Sequence, residues 1–114
     1  HKIMSVYVSN IVIEQGYDFD TSFQLEDTRT GTPLILTNAS LEAKLRKYYG
    51  STTAVSFASS ITDPNLGIIQ VSLGSTLSVD LKPGRYVFDV KITNYGKEYK
   101  AVEGAALVRG GVTR

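Results

Sequence analysis

Few residues in this chain have the types and spacing that chemistry requires. Asp18 and Asp20 flank Phe19, a spacing that puts both carboxylates on one face of a strand. Such a pair could hold calcium or act as acid and base. No D-x-D-x-D-G spacing accompanies it, and the preferred reading is a solvated face opposite a core-facing Phe19. Nucleophilic catalysis needs Ser, Thr or Cys beside a base, usually histidine. The sequence has one histidine, His1, and no cysteine. That leaves no Ser-His-Asp set, no thiol nucleophile and no His/Cys zinc cluster. Gly104 and Gly110-Gly111 do not sit between a strand and a helix, as a phosphate cradle requires. The expectation is a non-enzyme with no catalytic residue, no metal site and no cofactor.

Aromatic residues offer a second kind of site. Seven tyrosines occur without a tryptophan, and sugar faces stack on exposed rings. Tyr48 and Tyr49 at a loop mouth and Tyr95 at a hairpin tip are the candidate ligand or partner contacts. Tyr86 and Tyr99 fall on paired strands, with ring bodies buried and hydroxyls at the edge. Asn38-Ala39-Ser40 matches a glycosylation sequon. It reads as chance, because His1-Lys2-Ile3-Met4 lacks the apolar segment of a secretory signal.

Behind these residues stands a β-rich chain. At 114 residues, 42% of them hydrophobic, one core-forming domain is expected. Residues 1–3 read as a tag remnant ahead of Met4, leaving 4–114 as a single β-sandwich domain. Twelve basic and eleven acidic residues give a net charge of +1, so no global field recruits nucleic acid or anionic lipid. In the densest basic cluster, Lys44-Leu45-Arg46-Lys47, a strand sends Lys47 to the face opposite Lys44 and Arg46. No apolar run approaches the ~20 residues of a membrane span.

Short runs alternate with period two between turn signals, giving eight or nine strands at spacings of about 8–12 residues. The parity change at Ser9-Asn10 predicts a bulge or strand switch. A short strand is expected to begin at Pro33 and run through Leu36. Asp63-Pro64-Asn65-Leu66-Gly67 is turn chemistry, and Asn94-Tyr95-Gly96-Lys97 a hairpin turn. Gly67 and Gly84 are expected at positive φ. The helical segment falls within Ser75–Leu81, capped by Ser75 or Thr76, with Leu77 and Leu81 on one face. The fold class predicted is all-β, a two-layer antiparallel Ig-like β-sandwich with at most one short helix. Its inner faces should include Phe19, Phe23, Leu25, Leu41, Leu45 and Phe57 on early strands. Later strands should add Ile69, Val71, Tyr86, Phe88, Val90 and Ile92.

An ordered set of segments adds a family resemblance. These are Gly16-Tyr17-Asp18-Phe19, Pro33-Leu34-Ile35-Leu36-Thr37, Ala43-Lys44-Leu45-Arg46-Lys47 and the Asp63–Gly67 turn. Leu81-Lys82-Pro83-Gly84-Arg85-Tyr86-Val87-Phe88-Asp89-Val90 and Val102-Glu103-Gly104 follow. Together they resemble the N-terminal β-sandwich domain of upper-baseplate proteins in long-tailed phages, and small virion proteins of T4-like cyanophages. The resemblance implies a non-enzymatic virion structural or assembly protein (tail, baseplate or fibre-associated) that docks on other virion proteins as an oligomer. Family members continue into a stalk or receptor-binding adaptor, so it also implies a stand-alone virion protein or a domain cut from a larger one. The alternative is a carbohydrate-binding or host-adhesion module, with Tyr48 and Tyr49 meeting a host surface glycan. For assembly, the charge-poor stretch Ala101–Val108 is expected on a sheet edge, where unpaired backbone groups invite a neighbour.

The carboxylate reading makes one prediction. Calcium and chelators should both leave the melting temperature unchanged; a calcium-dependent rise would make ligands of Asp18 and Asp20.

Overall fold

The computed structural model describes residues 7–27 and 30–110. The reading of residues 1–3 as a tag remnant and the tail from Gly111 onward lie outside them. In chain order the described strands are β1 (Tyr7–Val8), β2 (Ile11–Glu14), β3 (Phe19–Gln24), β4 (Glu26–Asp27), β5 (Thr32–Pro33) and β6 (Ser40–Arg46). Then come β7 (Ala54–Ser56), β8 (Ala58–Asp63), β9 (Ile68–Leu73), the helical turn α1 (Ser75–Ser78), β10 (Gly84–Asn94) and β11 (Lys97–Arg109). Strand accounts for 60% of the described residues and helix for 4%, an all-β fold.

Two sheets face each other across one core. The larger runs β7-β6-β10-β11 with antiparallel pairing, and β1 and β2 lie parallel along the far side of β11. The smaller is the antiparallel sheet β3-β9-β8. This division of strands is that of an immunoglobulin-like sandwich. Period-two patterning fills the interior: β10 sends in Phe88, Val90 and Ile92, β9 Ile69, Val71 and Leu73, and β6 Ala43 and Leu45. Each of the larger side chains contributes about 1.5–3 kcal/mol on leaving water. Phe57, where the chain passes from β7 to β8, sets its ring edge-on to Phe88 at 6.4 Å.

The expected inner faces are largely correct, with Phe19, Leu41 and Tyr86 only partly buried. Expectation omitted Ile11, Ile13, Leu36, Ala43, Leu73 and Leu81, and on β11 Ala101, Val102, Ala106 and Val108. Ala101 enters through a bulge in the β10–β11 pairing beside Val90/Lys91, which turns it and its neighbour Val102 both inward.

Four expectations need correction. First, β11 is an interior strand: β10 bonds one side, and β1 and β2 the other. The sheet is therefore mixed rather than wholly antiparallel. Gly104 is the physical reason, since a Cβ there would stand 1.6 Å from Ser9 O. Only a bare backbone lets the Ser9-Asn10 switch cross so closely, as the parity change predicts. Ser9 N–H donates to Glu103 O at 3.0 Å, and Ala105 N–H donates to Asn10 Oδ1 at 3.1 Å.

Second, Leu34–Leu36 does not continue the Pro33 strand. Its backbone bonds reach two separate places, Leu34 N–H to Leu25 O and Leu36 N–H to Pro64 O, each at 2.9 Å. Third, neither Ser75 nor Thr76 caps α1. Gly74 takes the cap position, and Asp18 Oδ1 accepts from Ser75 N–H at 2.7 Å from across the fold. Fourth, Leu77 faces solvent, unlike Leu81.

Ser78 is the one buried polar residue among those described. Its hydroxyl donates to Tyr17 O at 2.8 Å and accepts from Gly16 N–H at 3.1 Å. Gln15 Nε2 donates to Leu81 O at 2.8 Å. The β2–β3 and β9–β10 connections, the two passages between sheets at this end, are thereby laced together.

Gly67 and Gly84 do hold positive φ, 68° and 145°. A Cβ at Gly67 would meet Leu25 O at 2.5 Å, whereas at Gly84 the nearest atom is the mobile Lys47 Nζ at 3.2 Å.

Thermal unfolding of variants tests this frame. Ser78→Ala, which strands Gly16 N–H and Tyr17 C=O, should cost about 1–3 kcal/mol. Gly104→Ala should cost more, by expelling the Ser9-Asn10 switch, and Gly50→Ala, which meets only ordinary contacts, should be close to neutral. A Gly104→Ala protein as stable as Gly50→Ala would contradict the crossing.

Candidate functional site

The three candidate tyrosines are all exposed, but the structure divides them. Tyr48 and Tyr49 follow β6 in the connection to β7, exposed to 62% and 50%. The Tyr49 ring has Lys100 Nζ 5.3 Å from its centroid. Partial burial, then the nearby Glu103 carboxylate, raise the Tyr49 hydroxyl above its ordinary pKa. Tyr95 is on the β10–β11 hairpin tip, on the order of 15–25 Å away along β11 at about 3.4 Å per residue. No single site unites them.

Tyr49 borders the outer face of the larger sheet, where charges alternate with buried residues. Glu42 meets Lys91 at 3.2 Å and Lys44 at 3.3 Å, and Lys91 also meets Glu98 at 3.5 Å. Arg46 meets Asp89 at 3.7 Å and Lys100 meets Glu103 at 3.3 Å. The cations of β6 are thus paired with carboxylates, while Lys47 turns away to stand 4.6 Å from the Tyr86 ring centroid. The shallow groove between β6, β10 and β11, about 370 Å³, is lined by these internally neutralised groups. Among the described residues no three His, Cys, Asp or Glu side chains converge as a metal site would require. Asp18 is engaged at the start of α1.

Further along the same face the pattern changes. Val12 and Leu107 are paired neighbours on β2 and β11, exposed to 46% and 40%, and Val8 on β1 is exposed to 68%. With the small Ala105 they form an apolar stripe beside the charged field.

Tyr95 borders a different cavity, also about 370 Å³, lined by Leu34, Ile35, Leu36, Ile92, Asn94 and Tyr99, with Lys97 alongside. The turn is Tyr95-Gly96, with φ of 52° and 77°, a two-residue hairpin in which Asn-Gly is the low-strain choice. A bulky aromatic is unusual in that left-handed region. Asn94 Oδ1 is buried without a hydrogen-bond partner, a condition that costs about 1–3 kcal/mol. The hairpin was legible in the sequence; Asn94, Tyr99 and the Leu34–Leu36 wall were not singled out as a site.

Comparison with known proteins supports the fold. No family model matches the chain, and no curated protein matches it. InlP of Listeria monocytogenes is similar in structure, with a TM-score of 0.50, 15% identity, and coverage of 89% of this chain and 26% of that one. A family 123 glycoside hydrolase from Clostridium perfringens gives a TM-score of 0.40 at 14% identity, over 92% of this chain and 23% of that one. The chain spans about a quarter of each. At these identities the likeness to InlP concerns the fold alone, and the weaker one carries no functional meaning. Neither is described as a virion protein.

The ion-pair network makes a pH prediction. The Lys91 ammonium, then Lys44, hold Glu42 below its ordinary pKa of 4.5, and Glu42 in turn raises Lys91 above 10.5. Glu42's contribution is therefore present above pH 4.5 and lost as pH falls through its depressed value; that of Lys91 is lost as pH rises past 10.5. In thermal unfolding, Glu42→Gln should be less stable than wild type at neutral pH, and the gap should close in acid and in high salt. A gap independent of pH would show that the pairs do not act as charges.

Proposed function

We propose that this domain is a non-enzymatic structural component of a phage virion that works by protein–protein contact with neighbouring virion proteins. The observation that carries this reading is the exposed stripe of Val8, Val12 and Leu107 on a face whose charges, apart from Arg85 opposite Leu107, are paired among themselves. Apolar surface bordered by polar residues suits a protein interface. Self-neutralised neighbours lower the electrostatic barrier to a partner of either sign. The contact is made by a sheet face, not by a β11 edge.

The ordered motifs support the same reading, because they serve the frame. Gly16–Asp18 is bonded to α1, Gly67 closes the turn against Leu25 and Leu34, and Gly104 admits the N-terminal switch. Such residues preserve a shape for docking and supply no reactive group.

Sedimentation at high concentration and capture from disrupted particles test this together. The wild-type domain should self-associate or be retained with virion proteins. Val12→Lys and Leu107→Lys should stay folded and lose that association. A domain that remains monomeric and is absent from purified particles would contradict the proposal.

A further inference from the structure

By covering β11, the N-terminal strands move the open edge of the larger sheet out to themselves. They keep one register along β11, with Tyr7 opposite Val102 and Ile11 opposite Ala106. Ser9 N–H donates to Glu103 O and Gln15 N–H to Arg109 O, so the odd-numbered residues turn their backbone groups toward β11. In a parallel ladder the alternate residues then face away. Val12 N–H and C=O and Glu14 N–H therefore point off the sheet, and no described strand pairs with that side. Open edges are commonly guarded by lysine, proline or a bulge. Ile11–Glu14 has neither lysine nor proline and pairs without a register shift. Its single charge, Glu14, is ion-paired with Arg109 of the same chain.

The strand that best fits this edge is a second copy of itself. A two-fold axis through Val12 sets each Val12 N–H against the C=O of the other, as an antiparallel pair requires. Val12 then lies beside its counterpart with a Leu107 on either flank, so the exposed apolar stripe continues from one molecule into the next. Glu14 falls opposite Asn10 of the copy, so no like charges face each other across the pair. A charged foreign strand would find no unpaired charge on β2 to favour it. We propose that β2 pairs antiparallel with β2 of a second copy and extends the larger sheet across the two-fold axis. The inference rests on the protein-contact reading and gives that contact a partner and a backbone geometry.

The test combines sedimentation with amide hydrogen exchange of the full chain, dilute and at millimolar concentration. Sedimentation should show a dimer with a Kd on the order of 0.1 mM, as suits so short a strand. The Val12 and Glu14 amides should exchange about fivefold or more slowly in the concentrated sample, while Ile13, bonded to β11, is protected in both. Val12→Pro removes the outward N–H, keeps an apolar side chain and stands where an edge strand tolerates proline. It should retain Ile13 protection and weaken the dimer about tenfold or more. Should that variant not fold, the exchange of the wild-type chain decides alone. Association that leaves Val12 exchange independent of concentration, or that a folded Val12→Pro protein keeps in full, overturns the edge pairing and leaves the face contact standing. A chain that stays monomeric at millimolar concentration also overturns it, and capture from disrupted particles then judges the protein-contact reading separately.

Discussion

A single buried hydroxyl governs how the two sheets are joined at one end. Ser78 accepts from Gly16 N–H and donates to Tyr17 O, so the passage from β2 to β3 and the passage from β9 to β10 are held as one unit. Asp18 and Gln15 add bonds to Ser75 N–H and Leu81 O on either side. A buried polar group is tolerated only when its capacity is used, and here that need fixes the relative position of two distant connections. β3 leaves this junction for one sheet and β10 for the other, and the aromatic contacts of Phe88 with Phe23 and Phe57 depend on that spacing.

Gly104 supplies the complementary constraint on the larger sheet. By admitting Ser9 against its backbone, it lets the N-terminal strands cover what would otherwise be an open β11. The apolar character of Ala101–Val108 is then divided. Val102, Ala106 and Val108 go to the core, while Leu107 joins Val12 outside. A stretch suited in sequence to strand addition thus becomes a sheet face suited to docking.

Local patterns were legible because they depend on near neighbours. The alternation of Phe88, Val90 and Ile92, the positive φ of Gly67 and the two-residue hairpin at Tyr95-Gly96 all follow from residues within one turn or strand. What escaped depends on partners far along the chain. Asn10 and Ala105 meet across 95 residues, and Asp18 and Ser75 across 57. Asp18 is exposed as expected, but its bond to Ser75 N–H was hidden, as was the need for a bare backbone at Gly104. The hairpin-tip cavity was hidden for the same reason: Leu34–Leu36 meets Asn94 and Tyr99 only in the folded chain, and the expected strand at Pro33–Leu36 would have drawn those residues into a ladder instead.

The claim that the two crossings form one cooperative unit is tested most directly by native-state amide hydrogen exchange. Gly16 and Ser75 donate to the side chains of Ser78 and Asp18, outside any strand ladder. If the junction opens only with the fold, their amides should exchange with the same opening free energy as those of Val71 and Val90 in the core strands. Exchange of Gly16 and Ser75 at the rates of an open loop, while β9 and β10 stay protected, would contradict the account.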